Sequence, residues 1–277
     1  MPGFRFNALI ADAGIAVDRV RLLRHETKRY GQTPYTLWRD CPDHFNDYQR
    51  VQAKVRSAGF ASPYWASFVV TPDAKTLFVG MFAVSPVGPV PSGWIDPISL
   101  RDAVALAEYE IYDSILVSPL QDLIGRLVVD WGEGTRSWAQ LAAKQDKRVT
   151  ELRERFIEPL FPGYAAFVAQ LSEITALPTG WREALASARG VYLLTCPRTQ
   201  QQYVGSATGS DGFLGRWRGY LGDGHGGNVE LKVRGPADYR VSILQVAGSA
   251  DDRDAVLAME ALWKLKLQSR EMGLNRN

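Results

Sequence analysis

The chain has 277 residues, 46% of them apolar and 22% charged, with a formal net charge of +2. This length and apolar content suffice for two ordinary domains with packed cores, and the small net charge permits DNA binding without demanding it. The two cysteines, Cys41 and Cys196, have no Cys/His cluster near them, so neither a structural zinc nor a disulfide scaffold is expected.

The first two thirds of the chain predict a mixed α+β domain with barrel-like strands. Short β-branched and aromatic runs bounded by Gly, Pro and Asp predict strands, and the turn at 71–75 predicts a hairpin. Apolar residues at helical spacing predict several helices. The predicted strands are 20–23, 65–70, 77–84 and 127–131, and the predicted helices are 100–112, 140–157 and 163–175.

A Gly-rich segment with two tryptophans follows the last of these strands. Trp131 and Trp138 flank the segment, and Arg136 lies between them. Aromatic rings beside a cation are what stacking on an extruded nucleotide would use, so we predict a DNA contact surface here. The alternative is that both tryptophans are ordinary core or rim aromatics. With the strand Leu77-Phe78-Val79-Gly80, the segment faintly resembles PUA/EVE-type barrels, which read modified bases in aromatic cages.

The stretch Leu177-Pro178-Thr179-Gly180 contains two residues that interrupt regular structure, and a short helical pattern at 181–188 follows it. We therefore predict a domain boundary here. The first domain, 1–177, is predicted to recognise or target DNA. The second domain, 178–277, contains the residues that point to chemistry.

The second domain predicts a small sheet with flanking helices. Strand patterns at 191–195 and 202–206 are separated by a Pro-containing turn, so they form a predicted hairpin that brings Tyr192 near Tyr203. The predicted helix 213–221 has Arg216 on the flank of its apolar face. The remaining predicted elements are a strand at 239–246, a long helix at 250–268 and a helix stop at Gly273.

Glu260 lies in the middle of the long predicted helix, among apolar residues. A carboxylate in such surroundings needs a partner or a metal ion. Lys264, four residues later, is one candidate partner, because side chains at this spacing meet on a helix surface. The sequence alone leaves both interpretations open.

The order of these residues resembles the GIY-YIG nuclease family over 189–277. The two tripeptides are Gly190-Val191-Tyr192 and Tyr203-Val204-Gly205, with Val where the family has Ile, and Arg216, Glu260 and Asn275 follow in order. The spacings, 203 − 192 = 11 and 275 − 260 = 15, are normal for the family. The resemblance implies a three-stranded antiparallel sheet flanked by helices.

The resemblance also implies a role for each of these residues in the hydrolysis of a phosphodiester. Glu260 would bind one Mg²⁺ or Mn²⁺ ion per active site. Arg216 would bind the scissile phosphate in bidentate fashion, and Tyr203 would hydrogen-bond the phosphate or the water. Tyr192 would orient or deprotonate the attacking water, and Asn275 would orient Glu260 or hold the tail against the site.

The segment after Arg216 resembles the restriction-type and homing-type branch of the family, which has an additional His after the Arg. His225 is therefore the alternative general base to Tyr192. Ser206 stands where the excision-repair branch tends to have Lys, which puts a lysine-assisted mechanism in doubt. Arg218, next to the motif arginine, is the alternative DNA contact.

We thus expect a two-domain, metal-dependent DNA endonuclease, of restriction or phage-defence type and directed to modified DNA. The rival enzyme is a structure-specific repair or recombination nuclease. The rival from another class is a DNA-binding protein with an inactive nuclease domain. Cutting both strands from one site per chain would require a homodimer or two nicks. Neither a signal-peptide pattern nor an apolar run of spanning length is present, so we expect a cytoplasmic protein without a membrane partner.

Overall fold

The computed structural model describes residues 4–26, 32–54, 60–102, 104–133, 137–223 and 238–275. The chain divides into two compact units, Met1–Pro159 and Leu160–Asn277. Within the described ranges, no helix has the length and apolar character needed to cross a membrane.

The first unit is built on one large sheet. Over the residues described, eight strands take part, in the order β2-β5-β4-β3-β1-β7, with β6 paired to β4 and β8. The pair β1 and β3 is parallel, and the other pairs are antiparallel. The elements are α1 Phe6–Asp12, β1 Val20–His25, α2 Pro34–Asp40, α3 Pro42–Gln49, β2 Val51–Ala53, β3 Tyr64–Val70, β4 Thr76–Pro89, β5 Tyr109–Leu116, β6 Leu127–Asp130, β7 Ala139–Leu141 and β8 Arg148–Leu152.

The strand predictions for this unit are confirmed, whereas the helix predictions are wrong. The predicted helix 100–112 ends in strand β5, which pairs with β2 and β4, and the predicted helix 140–157 contains β7 and β8. The third, 163–175, contains two 3₁₀ turns around a short strand. Apolar residues that follow helical spacing here occupy positions in the sheet, because hydrogen bonding to neighbouring strands outweighs the local sequence pattern.

The second unit consists of a four-stranded antiparallel sheet with helices packed on it. Its strand order is β11-β10-β12-β9 over the described residues. The predicted hairpin is confirmed, with Tyr192 opposite Gly205 and Tyr203 opposite Leu194. The elements are β9 Val168–Gln170, α4 Thr179–Ser187, β10 Gly190–Thr195, β11 Gln202–Ala207, α5 Gly212–Asp223, β12 Arg240–Val246 and α6 Arg253–Lys266.

The fourth strand of this sheet comes from a segment that the sequence analysis assigned to the first domain. Strand β9 pairs with β12 through Ala169 and Val241, and Phe167 stacks on Trp217 with 5.6 Å between ring centroids. Burial of Phe167 in the core of the second unit explains why the division falls after Pro159 rather than at 177. The overall class, α+β, agrees with the prediction.

Candidate active site of the second unit

Tyr192 lies at the centre of the small sheet and is completely buried. Its strand, β10, has neighbours on both sides, so the ring points into the core from a rigid position. Trp217 and Tyr220 from α5 contact the ring edge-on, with centroids 5.8 Å and 6.3 Å away. Because strand and helix both fix the ring, the hydroxyl has one defined place.

Gly205 faces Tyr192 across the hairpin, and its missing side chain makes the approach possible. A Cβ at Gly205 would stand 2.5 Å from Oη of Tyr192 and 2.9 Å from Cε1 of Tyr203. Real Cβ atoms do not approach other atoms that closely, so this position accepts only glycine without rearrangement. The glycine of the second tripeptide therefore brings the two tyrosine rings together.

Arg216 contacts the tyrosine hydroxyls from helix α5. Its Nε donates to Oη of Tyr192 at 3.2 Å, and its Nη2 donates to Oη of Tyr220 at 3.4 Å. The guanidinium carbon also lies 5.1 Å from the ring centroid of Tyr220. Two hydroxyl acceptors and one aromatic ring hold the guanidinium in place.

Tyr220 is a site residue that the sequence analysis missed. Its hydroxyl lies 2.7 Å from the hydroxyl of Tyr192, and both residues are buried. The signal that could have revealed it is spacing, since Tyr220 follows Arg216 by four residues and so shares its face of the helix. The sequence placed its ring on the apolar face of the predicted helix 213–221 without assigning a role to its hydroxyl.

The buried phenols keep their protons at neutral pH. Burial raises the pKa of Tyr192 above its usual value, and the charge of Arg216 opposes this shift only in part. Burial also raises the pKa of Tyr220, and Tyr192 adds to the shift. Both hydroxyls are therefore hydrogen-bonding groups that fix Arg216, and the arrangement does not favour a phenolate base.

Arg216 also lines a cleft of about 480 Å³ at the surface of the second unit. Small and hydroxyl-bearing residues form most of its wall, so backbone and side-chain donors are accessible. Two cations and one carboxylate complete it. The lining residues are Ser206, Thr208, Gly209, Ser210, Asp211, Gly212, Gly215, Arg216, Arg253 and Leu257. A cleft of this composition suits an anionic ligand of extended shape.

Glu260 lies on α6, and its carboxylate forms an ion pair with Lys264, with 2.8 Å between Oε1 and Nζ. The side chains are only 12% and 6% exposed. One of the two interpretations from sequence, an ion pair one turn apart, is thus present. The other interpretation, a metal ligand, would require a divalent ion to compete with the ammonium of Lys264 for the same carboxylate.

The carboxylate oxygens of Glu260 are hard donors of the kind that Mg²⁺ and Mn²⁺ prefer. Among the residues that the structure describes, no group of three His, Cys, Asp or Glu side chains could hold a metal. A cation at Glu260 would therefore complete its shell with water and phosphate oxygens. Glu260 itself is not among the residues that line the cleft of Arg216.

Asn275 holds the C-terminal tail on the free edge of β11. Its Nδ2 donates to the carbonyl of Val204 at 2.8 Å, and its Oδ1 accepts from the amide of Val204 at 2.9 Å. The amide of Leu274 extends this pairing to the carbonyl of Gln202 at 2.8 Å. The side chain thus makes the pair of backbone hydrogen bonds that a neighbouring strand would make, and it fixes Val204, the middle residue of the second tripeptide.

Of the remaining predicted site residues in the second unit, the structure describes Arg218 and Tyr203. His225 and Arg136 lie outside the described residues. Arg218 is exposed on α5 and does not line the cleft. Tyr203, in contrast, is buried beside Tyr192 and belongs to the cluster.

The two predicted tryptophans belong to the first unit and have partners there. Trp131 is 6% exposed, with Phe68 at 5.8 Å and the ammonium of Lys147 at 4.5 Å from its ring centroid. Trp138 is half-buried against Phe60, with 5.6 Å between centroids. The burial of Trp131 does not fit stacking on an extruded base, and it matches the alternative interpretation as a core residue.

Known proteins share little detectable similarity with this chain. No family model matches the chain, and no curated protein matches it. A solved structure of the catalytic domain of the intron endonuclease I-TevI, in a mutant form, aligns with 24% identity and a TM-score of 0.27. The alignment covers 32% of this chain and 94% of that domain. Likeness at this score establishes no activity for this chain.

Proposed function

We propose that the second unit is a metal-dependent nuclease that hydrolyses phosphodiester bonds in DNA. The observation that carries the proposal is the contact of one guanidinium with two buried tyrosine hydroxyls at the wall of an open cleft. Arg216 donates to Tyr192 and Tyr220 and still lines the cleft. A fixed cation at an accessible surface is what binding a phosphate requires.

Phosphodiester hydrolysis needs charge stabilisation more than covalent chemistry from the protein. Negative charge grows on the phosphoryl oxygens as water attacks, and a fixed cation stabilises it without reorganisation. The planar fork of Arg216 can present two parallel donors to these oxygens, which Lys could not reproduce. The hydroxyls of Tyr192 and Tyr220 fix that fork before substrate binds.

In this mechanism the tyrosines are protonated and act by hydrogen bonding. Tyr203 hydrogen-bonds the attacking water or the phosphate, whereas the completely buried Tyr192 acts through Arg216. Burial raises the pKa of Tyr192 and so makes proton abstraction by it unfavourable. His225 is then the proposed proton acceptor. Asn275 acts through the backbone of Val204 and positions the strand that bears Tyr203.

Glu260 is the residue that would hold the Mg²⁺ or Mn²⁺ ion. When bound, such an ion neutralises phosphate charge and lowers the pKa of a bound water. Lys264 balances the same carboxylate in the structure. Glu260 thus needs a positive partner, and its place in mid-helix gives it a rigid base.

We further propose that the first unit selects the DNA, and that the setting is restriction or phage defence with modified DNA as substrate. Its separate compact core supports an independent role. Under this proposal DNA is the partner, and double-strand cleavage needs a homodimer or two nicks. An isolated fragment of residues 1–159 should bind the preferred DNA and lose affinity steeply as salt rises.

The test of catalysis is relaxation and linearisation of supercoiled plasmid with Mg²⁺, and with EDTA as control. We expect cutting only with the metal, no cutting by Glu260→Gln, and a loss of about a hundredfold or more for Arg216→Lys. The matched control is Arg240→Lys, an exposed arginine of β12 outside the cleft. Metal-independent cutting, or Arg216→Lys within about threefold of wild type, would refute the mechanism. Parallel assays on modified and unmodified plasmid test the proposed setting.

A further inference from the structure

The cleft contains a second arginine that the proposed chemistry does not use. Arg253 is the first residue of α6 and lines the cleft together with Arg216. It is exposed, and within the described parts of the chain it forms no ion pair or side-chain hydrogen bond. Its guanidinium is therefore available to a ligand that enters the cleft.

The position of Arg253 is unfavourable for the helix itself. Asp252 caps α6 by accepting a hydrogen bond from the amide of Ala255 at 2.8 Å, so the helix end already has its partner. A cation in the first turn faces the positive end of the helix dipole, which disfavours it. Helix stability thus gives no reason for an arginine here, whereas an anionic ligand does.

The rest of the cleft suits a chain of phosphates rather than one small anion. Two arginines and one carboxylate, Asp211, line the cleft, so its ionic side chains leave a net positive charge. The walls between them are built from glycines and short hydroxyl side chains, which let a backbone approach closely. Leu257, one turn after Arg253 and 42% exposed, offers an apolar surface to a sugar or base.

We propose that the cleft holds two consecutive phosphates of one DNA strand, the scissile one at Arg216 and its neighbour at Arg253. This inference rests on the proposed nuclease function. Arg253 is a positioning residue in this arrangement, because it binds a phosphate that does not react. By fixing the strand next to the reacting phosphate, it sets the phosphate at Arg216 in line for attack.

The experiment measures duplex DNA binding in EDTA over a range of salt concentrations, for wild type, Arg253→Gln and Arg240→Gln. Loss of one phosphate contact should lower the magnitude of the slope of log K against log salt by about 0.9. We expect this change for Arg253→Gln alone, together with a KM for cleavage raised at least about fivefold and a smaller change in kcat. Arg240→Gln, exposed but outside the cleft, should keep the wild-type slope.

A neutral methylphosphonate placed beside the mapped scissile phosphate gives the decisive comparison. If Arg253 binds that phosphate, the substitution weakens wild type and leaves Arg253→Gln unchanged. Equal weakening of both proteins overturns the assignment while nuclease function stands. Absence of both DNA binding and cleavage by wild type removes the function and the inference with it. Equal thermal midpoints of the three proteins show that the substitutions leave folding intact.

Discussion

The carboxylate of Glu260 and the ammonium of Lys264 form an ion pair one helical turn apart, 2.8 Å from Oε1 to Nζ and almost shielded from water. A sheltered carboxylate is stable only with a positive partner, so Lys264 stabilises the metal-free protein. A divalent ion at Glu260 would compete with this ammonium. Under the proposed metal site, the ion pair would link metal affinity to the stability of the apo protein.

Lys264→Met should destabilise the protein in EDTA by about 3 kcal/mol, since it leaves a buried carboxylate without a partner. The same change should tighten Mn²⁺ binding, because the competing ammonium is gone. Thermal unfolding with and without Mn²⁺, and electron paramagnetic resonance of bound Mn²⁺, measure the two effects.

The matched control for Lys264→Met is Lys266→Met, on the same helix but exposed above the ring of Trp263. We expect it to change stability by less than about 1 kcal/mol, as is usual for surface substitutions. Equal Mn²⁺ affinity in wild type and Lys264→Met would show that the ammonium and the metal do not share Glu260.

Gly205→Ala should destabilise the second unit and impair catalysis together. The new Cβ would meet Oη of Tyr192 at 2.5 Å, and neither strand β10 nor α5 can move away cheaply. Overpacking of this kind costs about 1–3 kcal/mol. Urea unfolding measures the loss. The control is Gly219→Ala on α5, where an added Cβ meets no described atom within 4 Å outside its own helix turn. That control should gain about 0.5–1 kcal/mol from helix propensity, so a loss there would question the packing argument.

Several parts of this arrangement were predictable from sequence, and the parts that were not predictable have physical causes. The strands around Tyr192 and Tyr203 were predicted because their segments are short, rich in β-branched and aromatic residues, and bounded by turns. Helical spacing also predicted α6, and it offered the pairing of Glu260 with Lys264 as one of two interpretations. The role of Tyr220 was hidden, since a tyrosine on an apolar helix face gives no sign of where its hydroxyl points.

The sequence predictions depart from the structure mainly where long-range pairing decides it. Segment 140–157 has apolar residues at helical spacing, yet β8 within it pairs with β6. The boundary near 177 rested on Pro178 and Gly180, but Phe167 and β9 already belong to the second unit. Trp131 illustrates a further limit, because sequence cannot tell a buried indole from an exposed one.

The pH dependence of stability should report the buried phenol of Tyr192. Burial raises its pKa in the folded protein, so at high pH the proton leaves the unfolded chain first. Its contribution is therefore constant below about pH 10 and is lost as pH rises from there towards the folded-state pKa. Above pH 10 the free energy of unfolding of Tyr192→Phe should fall less steeply with pH than that of wild type, and the two slopes should differ by about 1.4 kcal/mol per pH unit. Urea unfolding from pH 8 to 11 tests this, and identical slopes would place the phenol in water.

The segment between the two proposed boundaries should decide whether the second unit folds alone. A fragment of residues 160–277 keeps β9 paired to β12 and Phe167 stacked on Trp217, so we expect a cooperative urea transition. A fragment of residues 178–277 loses both and exposes the stacked face of Trp217, so its transition should be broad or absent.

In the full chain, Phe167→Ala should cost about 3–5 kcal/mol, as for a fully buried aromatic ring. Its control is Leu160→Ala in the same segment, where the side chain is 86% exposed and the cost should stay below about 0.5 kcal/mol. If both fragments unfold alike and Phe167→Ala is tolerated, residues 160–177 are a linker and the boundary near 177 is restored.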